Sequence, residues 1–303
     1  MSWRPILVAS LLAVGASAGI AAADPAGHDP SFWRAIAKNR FEVPAGESAD
    51  TLVVELSGLL GSPDPELRDD FAYSIPAAWI YRDRRISEEV RHDLLKTWSA
   101  NLQTGLGGTG SDTLFLRAFS ALDLSILAAL DNQHPFLDDA EYAGLLSASL
   151  AYLAGEKDLR AFDPRHGWMH ATAHTADLLK FLGRSPRLRP ADQGRILEAV
   201  AAKLRAAGAT FAYGENERLA AAVQSLVLRK DFDPAAFTRF LAAVAEPAEH
   251  LWDQGPLVDP VRFAATQNAK DLLRSLYVAL SRSTAAPETV RTEILKTLEK
   301  LGG

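Results

Sequence analysis

The run PRHGWMHATAHTADLLKFL, residues 164–182, decides how the rest of the chain is read. Its apolar residues recur at steps of three and four and do not alternate, which is the period of a helix. At about 100° per residue, His170, His174 and Asp177 fall within about 60° of one another, with Phe181 among them. Trp168, Ala171, Leu178 and Leu182 form the adjoining apolar arc, and Lys180 points to the opposite side, the one a helix gives to water. This pattern predicts a helix over 167–182. Its polar stripe lies at the edge of a buried face, where a groove or a helix–helix seam would be.

The same period runs through the whole chain. Leu and Ala dominate, β-branched runs are scarce, and helix starts are well marked. Asp64-Pro65, Asp233-Pro234 and Asp259-Pro260 each set a capping carboxylate before a proline at the first helical position. Asp138 with Glu141 forms a capping box, and Ser87 and Ser111 are further caps. The helices predicted between these signals cover 31–39, 48–60, 65–81, 88–103, 112–130, 139–154, 167–182, 191–207, 215–229, 234–250, 260–282 and 288–301. The fold class is therefore all-α, with about a dozen antiparallel helices. Helix pairs recur at roughly 40–45 residues, the period of HEAT-like repeats, but without a repeated consensus. Both a HEAT-like solenoid and an irregular α/α bundle suit this pattern. No Pro/Gly/Ser-rich linker divides 24–303, so that span is read as a single domain.

The first residues read as an export signal over 1–23. Arg4 gives the positive start, Ile6 to Val14 the apolar stretch, and Ala21-Ala22-Ala23 the small-residue cleavage site before Asp24. The expected location is periplasmic or secreted, with no membrane span once the signal is removed. The chain of 303 residues has no cysteine, which excludes disulfides, thiol chemistry and attachment of lipid through cysteine. Lys and Arg number 32 against 38 Asp and Glu. Removing the signal, with its one Arg and no acid, moves the net charge from −6 to −7. No basic face is present, so nucleic acid is not an expected partner. The expected partner is a small molecule or an envelope protein.

Four blocks carry a family resemblance. They are Gly105-Leu106-Gly107 with 111–120 (SDTLFLRAFS); Glu156-Lys157-Asp158-Leu159-Arg160; 167–179 (GWMHATAHTADLL); and Gly214-Glu215-Asn216-Glu217-Arg218-Leu219-Ala220. In this order and spacing the chain resembles the bacterial family known as domain of unknown function 2785, over roughly residues 50–300. The resemblance implies a fold and a choice of residues but no reaction. Its blocks add Asp112, Arg117, Glu156, Asp158, Arg160, Glu215, Glu217 and Arg218 to Trp168, His170, His174 and Asp177 as ligand-binding candidates.

The chemistry of the stripe is open at this level. Imidazoles at i and i+4 can share one metal ion, zinc or another divalent cation, with Asp177 or a glutamate from another helix as third ligand. That would suit a metal-dependent hydrolase acting on an envelope component. Alternatively His170, His174, Asp177 and Trp168 recognise a ligand or partner in a polar groove. They could also hydrogen-bond to backbone and to Arg117, Arg160 or Arg218, pinning helices together. Other motifs carry less. Gly105 to Gly110 lacks the Lys-Ser/Thr of a phosphate loop. His92-Asp93 sits on a polar helix without supporting ligands.

Overall fold

Aspartate caps start the helices much as expected. Asp233 and Asp259 turn their carboxylates onto the first backbone N–H groups of helices that open with proline. Asp138 and Glu141 satisfy each other's backbone in a full capping box, and Ser87 caps the helix after it. A computed structural model describes residues 27–302 except 250, 254 and 256. The signal read at 1–23 lies outside the described residues.

Twelve α-helices occur among the described residues. They are α1 (Pro30–Lys38), α2 (Ala49–Ser57), α3 (Ser74–Pro76), α4 (Glu88–Asn101), α5 (Thr113–Asp131), α6 (Asp139–Gly155), α7 (Ala171–Arg184), α8 (Pro190–Ala206), α9 (Glu215–Val227), α10 (Pro234–Ala245), α11 (Pro260–Ser281) and α12 (Glu288–Lys300). The fold is all-α, with one two-stranded hairpin of β1 (Phe162–Asp163) and β2 (Gly167–Trp168), in which Phe162 pairs with Trp168.

Helices of alternate number stack. α5 packs on α7, α7 on α9 and α9 on α11, while α6 packs on α8, α8 on α10 and α10 on α12. Two layers of helices joined by short connections result, the arrangement of stacked helical pairs. α5 lies at the centre, nearly every side chain buried against α4, α7 and the 66–82 segment. It is long and apolar enough to cross a membrane by composition, and its apolar surface is covered by protein.

Two stretches depart from the sequence expectation. The helix read at 65–81 is instead wide π-turns at Glu66–Tyr73 and Ala77–Arg82, on either side of the single turn of α3. Pro76 has no N–H to continue a regular ladder, and the segment around it widens. The helix read from 167 begins only at Ala171, because Gly167 and Trp168 pair back onto 162–163 as the hairpin. Periodicity could not detect that step, since two residues are too few to show a period. Both departures border the same cleft.

Candidate functional site

The turn into α7 places the first side chains. His170 stands before the helix at φ 49°, the left-handed region that an L-residue other than glycine rarely occupies. α9 opens the same way, on Gly214 at φ 91°, where glycine carries no such cost. The two turns lie side by side: His170 Nε2 is 2.8 Å from the Tyr213 carbonyl. A carbonyl can only accept, so this nitrogen carries the proton and donates it. Burial holds His170 below the usual imidazole range, with Glu215, 3.9 Å away, working in the opposite direction.

One turn further, His174 packs edge-on against Phe119 and against His170. Its Nδ1 donates to the Ala118 carbonyl at 3.1 Å. Burial pushes its pKa down to about 3, helped by the neighbouring His170 and Arg218. The ring is therefore neutral, and its Nε2 is an unprotonated acceptor that faces the cleft without a hydrogen bond among the described residues. Asp177 follows, its carboxylate held between Lys180, at 2.9 Å, and Arg218 of α9. Lys180 thus does not face open water as its helical angle predicts. Its flexible stem reaches back one turn to the carboxylate, and its ammonium also lies 4.6 Å from the Phe181 ring centre.

The opposing wall comes from α5 and the wide turns. Phe119, Leu122 and Ser125 form the floor, and Asp69 and Tyr73 reach over from the π-turns. Burial raises the Asp69 carboxyl to about 6 despite Arg68, whose Nη2 lies 2.6 Å from it. Arg68 is fully buried over the rings of Phe115 and Phe119, and its guanidinium donates to the carbonyls of Ser62 and His166. It thereby fastens the hairpin to the wide turns. Behind this wall Asp123 is wholly buried, and neither carboxylate oxygen has a hydrogen-bond partner among the described residues. Burial without a partner raises its pKa well above the ordinary carboxylate range and favours the neutral acid. Tyr73, desolvated and facing the Asp177 carboxylate, has its phenol raised and is likewise held in its neutral form.

At the mouth, Trp168 at 41% and Tyr213 at 49% remain substantially exposed, and Phe162 beside them, outside the cleft lining, is exposed at 42%. The Trp168 indole stacks on His170, with centroids 4.5 Å apart, and Phe162 meets its side at 4.9 Å. The cleft enclosed by these elements has a volume of about 740 Å³.

The structure brings Trp168, His170, His174, Asp177, Glu217 and Arg218 together on this cleft. Six other sequence candidates are placed elsewhere. Arg117 and Glu156 form a buried ion pair at 2.7 Å, and Arg117 also donates to the Thr104 carbonyl. Asp158 accepts from Gly110 N–H and from Arg160, and Arg160 also donates to the Ser111 carbonyl. Asp112 is exposed at the start of α5. Arg117, Glu156, Asp158 and Arg160 tie the glycine-rich loop to the end of α6, away from the cleft, because buried charges must find partners and the nearest partners were one another. Glu215 lies just behind the rim, accepting from Tyr213 N–H. Among the described residues no three His, Asp or Glu side chains are grouped to hold a metal ion. The His170 nitrogen nearest to Glu215 is already committed to a carbonyl.

Sequence reasoning missed Asp69, Tyr73, Phe119 and Tyr213. The first two sit on the segment read as a regular helix, and Phe119 looks like any core aromatic of α5. Only Tyr213 had a local signal, its position directly before the glycine that opens the Glu215–Arg218 block.

Stacked helical pairs with a polar cleft bounded by α5, α7 and α9 define the class of protein. The family model described as protein of unknown function (DUF2785) matches residues 102–278, more than half of the chain, and the chain belongs to this family. The matched span includes every cleft residue except Asp69 and Tyr73. No curated protein and no solved structure matches the chain.

Proposed function

We propose that this protein binds a small polar ligand in the cleft between α5, α7 and α9, and that it does so outside the cytoplasm after loss of the 1–23 segment. The observation that carries this reading is the convergence on one open cavity of a free imidazole acceptor on His174, the Asp177–Arg218–Lys180 cluster and an aromatic rim. A concave site with a few polar groups set among aromatic walls is the ordinary form of a small-ligand pocket. The left-handed backbone at His170 adds support, since strained residues gather where a structure presents side chains to a ligand. Arg117, Glu156, Asp158 and Arg160 are used up in structural pairs, so the functional polarity is concentrated here.

Saturation-transfer NMR on the purified chain tests this, with mixtures of amino acids, organic acids, nucleotides and sugars. At least one compound is expected to receive saturation from the wild type and to lose it with Arg218→Met. A thermal melt confirms that the variant is folded. Transfer to no compound, or transfer that the variant leaves unchanged, would overturn the assignment.

A further inference from the structure

We infer that the ligand of this cleft is an uncharged saccharide, bound with one face of a sugar ring against Trp168 and its hydroxyls toward Asp177, Arg218 and His174. This inference rests on the small-ligand reading and names its chemical class. The cleft holds three carboxylates, Asp69, Asp177 and Glu217, against Lys180, Arg218 and the Arg68 that pairs with Asp69. Its imidazoles are kept neutral by burial. These charges sum to zero, and an anionic ligand would have to break the pairs of Asp69 or Asp177 to gain a cation. A neutral ligand with many hydroxyls breaks none. It can donate to Asp177 and to His174 Nε2, and accept from the guanidinium N–H groups of Arg218 not used by Asp177.

Exposed large aromatic rings cost free energy in water, and here two of them, Trp168 and Tyr213, line one polar cavity, with exposed Phe162 packed on Trp168. The rings touch: Trp168 lies 4.9 Å from Phe162 and 6.2 Å from Tyr213, centre to centre. They meet edge to face, inclined at 60° and 80°, and leave no gap between them for a cation to be surrounded, so the platform is the indole that they brace. The indole is fixed from behind by its stack on His170, whose ring is fixed in turn by the Tyr213 carbonyl. A rigid aromatic platform beside hydrogen-bonding groups matches a molecule with one apolar face and a polar perimeter. A pyranose ring, with C–H bonds on its face and hydroxyls on its edge, is such a molecule.

The test uses isothermal titration and saturation-transfer NMR with maltose, cellobiose, trehalose and N,N′-diacetylchitobiose, set against citrate, glutamate and AMP. At least one disaccharide is expected to bind, with the strongest transfer to its ring C–H protons. Trp168→Ala should weaken it at least about tenfold, while Trp168→Phe, which keeps a ring face, should retain most of the affinity. Unchanged disaccharide affinity in Trp168→Ala would overturn the inference. Binding of citrate, glutamate or AMP at the cleft, with no disaccharide binding up to about 10 mM, would overturn the saccharide class and leave the small-ligand reading standing. If nothing binds at the cleft, both fall.

Discussion

Acid should unfold this protein partly through one side chain, His174. In the folded chain its pKa lies at about 3, against an ordinary value of 6.5. Unfolding therefore takes up a proton anywhere between those two values. A histidine depressed in this way contributes its full stability above pH 6.5 and loses it as pH falls toward 3. One proton taken up on unfolding is worth about 1.36 kcal/mol per pH unit, so between pH 6 and pH 4 the loss from this residue is about 2–3 kcal/mol. Asp69 works in the other direction. Its raised carboxyl favours the folded state below pH 3.8 and withdraws that support as pH rises through about 6. A comparison with His174→Asn separates the two, because Asp69 is present in both proteins. Asparagine can keep the N–H donated to Ala118 and does not titrate. Urea denaturation of both proteins at half-unit steps from pH 4 to 7 gives the difference. The wild type should lose about 1 kcal/mol more than the variant for each pH unit below 6. Parallel stability curves would refute the argument that His174 is held neutral by burial.

The remaining predictions concern how the site is supported. Glu156→Gln should lower unfolding free energy by about 3–5 kcal/mol, since it strands the buried Arg117 guanidinium; chemical denaturation reads this, and a loss below about 1 kcal/mol would contradict it. Asp123→Asn should leave stability at pH 5 within about 1 kcal/mol of wild type, because the native acid is already neutral, while a large loss would show that its carboxylate is ionised and paired. His170→Gly should be more stable than His170→Ala by about 1 kcal/mol and melt higher, since only glycine relieves the left-handed backbone once the imidazole contacts are gone. Equal melting of the two would mean that the turn before α7 is not strained.

Local rules were legible in the sequence wherever the signal lay within a few neighbouring residues. Leu and Ala at helical spacing, the Asp-Pro starts at 233 and 259 and the Asp138–Glu141 box placed most helices to within a few residues, because a cap acts on backbone groups of its own first turn. The same reasoning singled out the His170–His174–Asp177 stripe, since polar groups beside an apolar arc require partners or a ligand. Tertiary structure alone decided which charged residues were available to the cleft. Arg117 and Glu156 are 39 positions apart in sequence and neutralise each other in the core, while Arg218 crosses from α9 to Asp177 on α7, 41 positions away. Asp69 and Tyr73 join the cleft only because wide turns around Pro76 swing them over α5. Helical periodicity measures which face of one helix is apolar, but it does not contain the distance between two helices. The enclosed cleft and the compensation of its charges are properties of that distance.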